Sequence, residues 1–99
     1  MKGHVDLLLL ATLRQGPLHG YAVVERLRDE SQGAFDLAEG TVYPALYRLE
    51  RAGLLASRWT TAGGRRRRVY RLTRRGRVKL ARETTEWNAF RHAVETVLA

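Results

Sequence analysis

Apolar residues in the first third of the chain recur at helical spacing and predict two short helices. The first covers residues 4–14, and its broad stripe is formed by Val5, Leu8, Leu9, Thr12 and Leu13, with Leu7 and Leu10 beside them. Gln15-Gly16-Pro17 then breaks the pattern. The second helix is predicted over residues 20–31, ending before Gly33, and its buried side is formed by Tyr21, Val23, Val24 and Leu27.

The same spacing predicts a third helix over residues 39–52. Val42, Ala45, Leu46 and Leu49 follow one another at i, i+3, i+4 and i+7, and Gly53 supplies the C-terminal cap. Pro44 lies in the first or second turn, where a missing N–H costs less than in the middle of a helix. The outer faces of this helix would carry Thr41, Tyr43, Tyr47, Arg48 and Arg51.

Two strand-like runs follow, at residues 54–60 and 68–72, and predict a β-hairpin. The segment between them is longer than a two-residue turn, so we expect a mobile tip.

A last helix is predicted from the N-cap Thr73 to the C-terminus. It carries a heptad-like apolar seam, interrupted by Glu83 and formed by Leu80, Trp87, Phe90, Val94 and Val97. A domain this small has no room to bury such a seam internally. A second copy of the chain is the economical partner, so we expect a homodimer.

The order of helix, helix, helix, hairpin and long helix is typical of a winged helix-turn-helix, whose third helix enters the major groove of DNA. We therefore expect a mostly α fold with a small β-hairpin. Residues 1–73 would form the DNA-binding domain, and residues 74–99 a C-terminal dimerisation helix packed with it as one compact unit.

Charge sharpens this expectation. The chain holds 18 Lys and Arg against 10 Asp and Glu, a net charge of +8. Ten of the basic residues lie in residues 65–82, which contain no acid. This segment opens with Gly63-Gly64 followed by four arginines. Such a block favours a polyanionic partner, most commonly nucleic acid.

Other classes find little support. The chain has no cysteine, and its histidines, His4, His19 and His92, are scattered, so we expect no metal site and no cofactor. Neither a phosphate-binding glycine loop nor a nucleophile elbow is present, which argues against an enzyme. The apolar run 5–13 is too short to span a bilayer, so we expect a cytoplasmic protein without a membrane partner.

Three separated blocks resemble the PadR-like family of bacterial transcriptional regulators. They are Gly16-Pro17-Leu18-His19-Gly20-Tyr21, the segment from Gly40 to Leu55, and the segment from Gly64 to Thr73 with Gly76 after it. In that family they form the start of the second helix, the recognition helix with its exit, and the wing. The family often has a Ser or Asn cap where this chain has Ala38. The single helix after the wing matches the short members, which dimerise through it.

The predicted contacts with double-stranded DNA fall into two groups. Thr41, Tyr43, Tyr47 and Arg48 of the third helix would contact bases or phosphates, with Arg48 able to bind guanine bidentately. Gly64, Arg65, Arg66 and Arg67 of the wing would neutralise phosphates and make binding dependent on salt. Either tyrosine could instead pack within the domain, and the wing could be a solvated charged loop.

Trp87 has two interpretations. By resemblance it corresponds to a tryptophan that, in some short members, faces its dimer mate across a cavity and stacks on flat aromatic ligands. Phe90, Leu8 and Val5 would line such a cavity and bind a small aromatic effector. Alternatively, Trp87 only anchors the dimer seam.

The sequence therefore predicts a homodimeric, sequence-specific transcriptional regulator, most simply a repressor that binds an inverted repeat and is released by an effector in the dimer seam. The alternative is a small basic protein that binds DNA or RNA without sequence preference, as architectural proteins do.

Overall fold

A computed structural model describes residues 4–99, so the first three residues of the predicted DNA-binding domain lie outside the described part. The helices are α1 (His4–Thr12), α2 (Gly20–Glu30), α3 (Glu39–Arg51) and α4 (Arg74–Leu98). The strands are β1 (Leu18–His19), β2 (Leu55–Ala62) and β3 (Arg65–Leu72). They form one antiparallel sheet in the order β1-β3-β2, and the winged helix-turn-helix fold is confirmed.

The core forms where α1, α2 and α3 pack against one another and against the base of the hairpin. The predicted stripe of α3 is fully buried, and Leu9, Leu10 and Leu13 of the first helical segment are buried with it. Val23, Val24 and Leu27 are buried as predicted, but Tyr21 is 43% exposed, so its predicted burial is wrong. Tyr21 lies beside Gly20 at the start of α2, on the side that turns away from the core.

The hairpin differs from its prediction. Its strands extend to Ala62 and from Arg65, which leaves only Gly63 and Gly64 as the turn. Both glycines have positive φ, 57° and 77°, the backbone of a primed turn whose twist matches the flanking strands. The expected long loop is therefore wrong. Four consecutive arginines show no alternation of apolar and polar residues, so the sequence concealed how far the two strands pair.

Strand β1 was not predicted, because two residues carry no periodic signal. Leu18 pairs with Tyr70 and His19 with Val69, which adds a third strand beside β3. This short strand fixes the start of α2 against the wing.

Helix α4 begins as predicted, with the Thr73 side chain accepting a hydrogen bond from the Gly76 N–H at 3.0 Å. Gly76 is buried, and a Cβ there would overlap the Leu54 carbonyl oxygen, so close helix packing requires glycine at this position. Leu80 packs against the core, whereas residues 84–99 are exposed. The second half of α4 therefore contributes no residue to the hydrophobic core.

Candidate nucleic-acid interface

Helix α3 presents a continuous outer face. Gly40, Pro44, Tyr47 and Arg51 are exposed and lie at i, i+4, i+7 and i+11, opposite the buried stripe. The N-cap Ala38 makes no side-chain capping bond, in agreement with the departure seen in the sequence. This face is the surface of α3 that is free to contact a partner.

The centre of the outer face is a stacked pair. Tyr47 is 53% exposed, and the Arg51 guanidinium lies 5.8 Å from the centroid of its ring. The alternative interpretation, in which the Tyr47 ring packs within the domain, is therefore wrong. Thr41 is also exposed, at the edge of this face.

Tyr43 lies on one flank of the helix and is 41% exposed. Its ring packs beside Gly20, where a Cβ would overlap it. Partial burial raises the pKa of the Tyr43 hydroxyl, and the negative charge of Glu39 raises it further. Tyr43 thus packs one edge of its ring beside Gly20 and leaves another part of the ring accessible to solvent.

Arg48 lies on the opposite flank and is already engaged. It donates hydrogen bonds of 2.8 and 2.7 Å to the two carboxylate oxygens of Asp6 in α1. The hydrogen bond and charge of Asp6 raise the pKa of the Arg48 guanidinium. The side chain predicted to bind guanine is therefore held toward α1 in this structure.

The wing is joined to α3 by a three-residue network. Arg68 donates to the Ser57 hydroxyl at 2.8 Å and to the Glu50 carboxylate at 2.9 Å, and the Ser57 hydroxyl donates to Glu50 in turn. Glu50 and Arg68 are both partly buried. Since every member is bonded, the network fixes the angle between the recognition helix and the wing.

Strand alternation divides the wing arginines between two faces. The inner wing face, on the side of the core and α3, carries Trp59, Arg66 and Arg68. The Arg66 guanidinium lies 4.7 Å from the centroid of the half-exposed Trp59 ring. The opposite side, here termed the outer wing face, carries Arg58, Arg65, Arg67 and Arg71. His19 of the neighbouring strand β1 lies beside this face, and its Nε2 atom is 3.5 Å from Nη1 of Arg67.

The structure brings Gly64, Arg65, Arg66 and Arg67 to the tip of the wing, but not onto one surface. It also adds residues that the sequence reasoning missed or set aside, namely Gly40, Arg51, Arg58, Trp59 and Arg71. Counting the outer face of α3 at i, i+4, i+7 and i+11 would have found Gly40 and Arg51. The others depend on the strand register, which the sequence did not reveal.

The predicted ligand residues do not all converge. Trp87 and Leu8 line an open groove of about 590 Å³ between α1 and α4, together with His4, Leu7, Ala11, Phe35 and Thr84. His4 meets Trp87 edge to face, with ring centroids 5.5 Å apart. Phe90 lies 5.9 Å from Trp87 but lines a separate hollow with Val94 and Val97, and Val5 packs against the core.

Neither a metal-binding cluster nor a membrane-spanning helix is found among the described residues 4–99. Among them, no three His, Cys, Asp or Glu side chains are grouped so as to hold a metal ion. No helix of this part of the chain has the length and apolar character needed to cross a membrane.

Comparison with known proteins agrees with the geometry. The model of the PadR-like family of transcriptional regulators matches residues 9–82. A transcriptional regulator of Mycobacterium tuberculosis is 38% identical over 79 residues, covering 80% of this chain and 71% of its own. A PadR family regulator from Clostridium difficile superimposes with a TM-score of 0.86 at 29% identity, over 98% of this chain and 100% of the other.

A further similar structure includes DNA. Bacillus subtilis PadR in complex with operator DNA superimposes with a TM-score of 0.77 at 25% identity, over 83% of this chain and 46% of the other. The family and these relatives are transcriptional regulators, not enzymes.

Proposed function

The chain belongs to the PadR-like family of transcriptional regulators, and from that premise we propose that it binds an inverted-repeat operator as a homodimer and acts as a repressor. The observation that carries this proposal is the joining of two surfaces. The exposed Tyr47 and Arg51 of α3 lie on the same helix as Glu50, which holds the arginine-rich wing through Arg68.

The two surfaces have different tasks. The face centred on Tyr47 and Arg51 has the side chains to read base edges, because aromatic and guanidinium groups suit apolar and bidentate contacts. The wing carries positive charge but few kinds of hydrogen-bonding side chain, so it supplies binding affinity that is independent of DNA sequence.

The experiment that tests this function is selection of duplexes from a random library, followed by competition between the selected operator and random DNA. A regulator should prefer the operator by about 10³-fold or more. An architectural or RNA-binding protein would bind both DNAs, or RNA, with similar affinity, and that outcome would refute the proposal. Arg51→Ala should alter the selected sequence, whereas Arg67→Ala should weaken binding to every sequence.

Dimerisation is proposed from the exposed apolar strip of α4. Phe90 and Val97 are 61% and 83% exposed, and Trp87 and Val94 lie beside them. Leu80, the remaining residue of the predicted seam, packs against the core of its own chain and therefore offers less surface to a partner. Residues 74–99 thus serve as the dimerisation helix, although their first turns are continuous with the DNA-binding domain of residues 1–73.

Sedimentation equilibrium tests the dimer. Phe90→Glu should convert it to monomer because it places a charge in an apolar seam. Val78→Glu is the matched control, since Val78 is 58% exposed on another side of α4. Equal mass for the wild type and Phe90→Glu would contradict dimerisation through this strip.

We propose the groove beside Trp87 as the site of a small aromatic effector that releases the operator. Its support is the groove's apolar wall and the edge-on contact between His4 and Trp87. In a Trp59→Phe background, fluorescence reports Trp87 alone. Planar aromatic compounds should quench it and weaken operator binding, and compounds that do neither would refute an effector at this site.

A further inference from the structure

The outer wing face carries a regular row of positive charge. Arg65, Arg67 and Arg71 point to this side of β3, with Val69 completing the two-residue spacing. Arg58 of β2 pairs directly with Val69 and supplies the charge that this position lacks. A cation therefore stands at each of four successive pleat positions.

The spacing of this row has a physical match. Alternate residues of a strand are separated by about 6.6–6.8 Å, so the four positions extend over about 20 Å. Successive phosphates along one strand of DNA are separated by nearly the same distance. We propose that the outer wing face binds the phosphates of a single DNA strand, a different strand from the one that faces α3 and Trp59.

The two faces of the wing support this assignment by their contrast. On the inner wing face, Arg68 is bonded to Glu50 and Arg66 lies over Trp59. On the outer wing face, all four arginines are exposed, and none forms an ion pair within residues 4–99. The remaining residues of that face, Ala56, Thr60, Ala62 and Val69, carry no charge.

Such a row is unfavourable in the free protein. Like charges on neighbouring positions of one sheet face repel, and no carboxylate of the face relieves them. A phosphodiester strand would neutralise all four at once and release counterions. The row follows the length of the wing from Arg65 to Arg71, so a DNA strand that runs along the outer wing face would contact all four arginines in turn. Because this face is opposite to the one that carries Trp59, that strand differs from the one facing α3 and Trp59.

This inference rests on the proposed DNA-binding function but concerns Arg58 and Arg71, which lie away from the tip. The test is the salt dependence of binding to a random-sequence duplex by wild type, Arg58→Ala/Arg71→Ala and Arg74→Ala/Arg82→Ala. The last is the matched control, because it removes the same charge from exposed positions of α4.

Each lost phosphate contact should lower the slope of log affinity against log salt by about 0.9, so the Arg58/Arg71 variant should lose about 2. Its affinity should fall equally for operator and random DNA, leaving sequence preference unchanged. The Arg74/Arg82 variant should change the slope far less. Equal slopes for the two double variants, or a wild-type slope in Arg58→Ala/Arg71→Ala, would overturn the inference.

Phosphate ethylation interference on the selected operator locates the contact. Wild type should show consecutive sensitive phosphates on one strand, and Arg58→Ala/Arg71→Ala should lose part of that run. An unchanged pattern would overturn the inference. If wild type prefers no sequence, the proposed regulator fails, while the difference in slope still decides whether the outer wing face binds DNA.

Discussion

Arg48 and Asp6 form a bidentate ion pair that ties the recognition helix to the first helix. Both contacts are under 3 Å, and Asp6 is the more buried partner, with 24% of its side chain exposed against 59% for Arg48. The pair determines where Arg48 points. The guanidinium is therefore available to DNA only if it leaves Asp6 or uses the N–H groups that Asp6 does not occupy.

Asp6→Asn should release Arg48 with little cost to the fold. The pair is bidentate but its Arg48 end is exposed, so its loss should cost about 1 kcal/mol, the upper end of the range for surface pairs, and the melting temperature should fall modestly. Affinity for random DNA should rise, because one cation is freed and one negative charge is removed. Asp36→Asn, at an exposed position that forms no ion pair within residues 4–99, is the control for charge alone. If both variants bind random DNA equally, Asp6 does not restrain Arg48.

Gly40→Ala should separate stability from binding. A Cβ at Gly40 meets no atom within 4 Å, and alanine is the better helix former by up to about 1 kcal/mol. The variant should therefore melt at the same or a higher temperature. It should nevertheless bind the operator more weakly, because the added methyl lies on the face that approaches the groove. Unchanged affinity would mean that DNA does not approach this turn closely.

Gly20→Ala should act on the interface through Tyr43. The atoms that a Cβ would overlap belong to the end of the Tyr43 ring, which must move aside, and overpacking of this kind costs about 1–3 kcal/mol. Denaturant unfolding measures the loss. In the double variant Gly20→Ala/Tyr43→Ala most of the penalty of the first change should vanish. Additive losses would show that the conflict lies elsewhere.

The sequence predicted the helices and the role of the hairpin because apolar periodicity and glycine breaks are local signals. It did not predict which way individual arginines point. Arg48 pairs with a residue 42 positions away, and the division of Arg65 to Arg68 between two faces depends on the register set by the Gly63-Gly64 turn. The elements that form the candidate DNA site could therefore be located from the sequence. The direction in which each arginine of the site points could be learned only from the tertiary contacts.

Tyr70 should make the fold sensitive to alkali. Burial raises the pKa of its hydroxyl above the ordinary value of 10.0, and although Arg68 lowers it, the net direction is upward. The folded state thus holds the proton more tightly than the unfolded state. Stability should be complete below about pH 10 and fall as the pH rises through the folded pKa. Tyr70→Phe should flatten this decline in circular dichroism, whereas the exposed Tyr21→Phe should not.

Glu50→Gln tests whether the wing must be held at a fixed angle to α3. An amide retains an oxygen for Arg68 or Ser57 but loses the charge, which weakens a bond worth about 1.5–3 kcal/mol when charged. Stability should fall by about 1 kcal/mol. Affinity for random DNA should stay the same or rise, because a negative charge is lost. Preference for the operator should drop, because α3 and the wing are no longer held at a fixed angle to each other. Glu25→Gln, at an exposed position of α2, is the control for the lost charge. Retained preference in Glu50→Gln would show that the two surfaces bind independently.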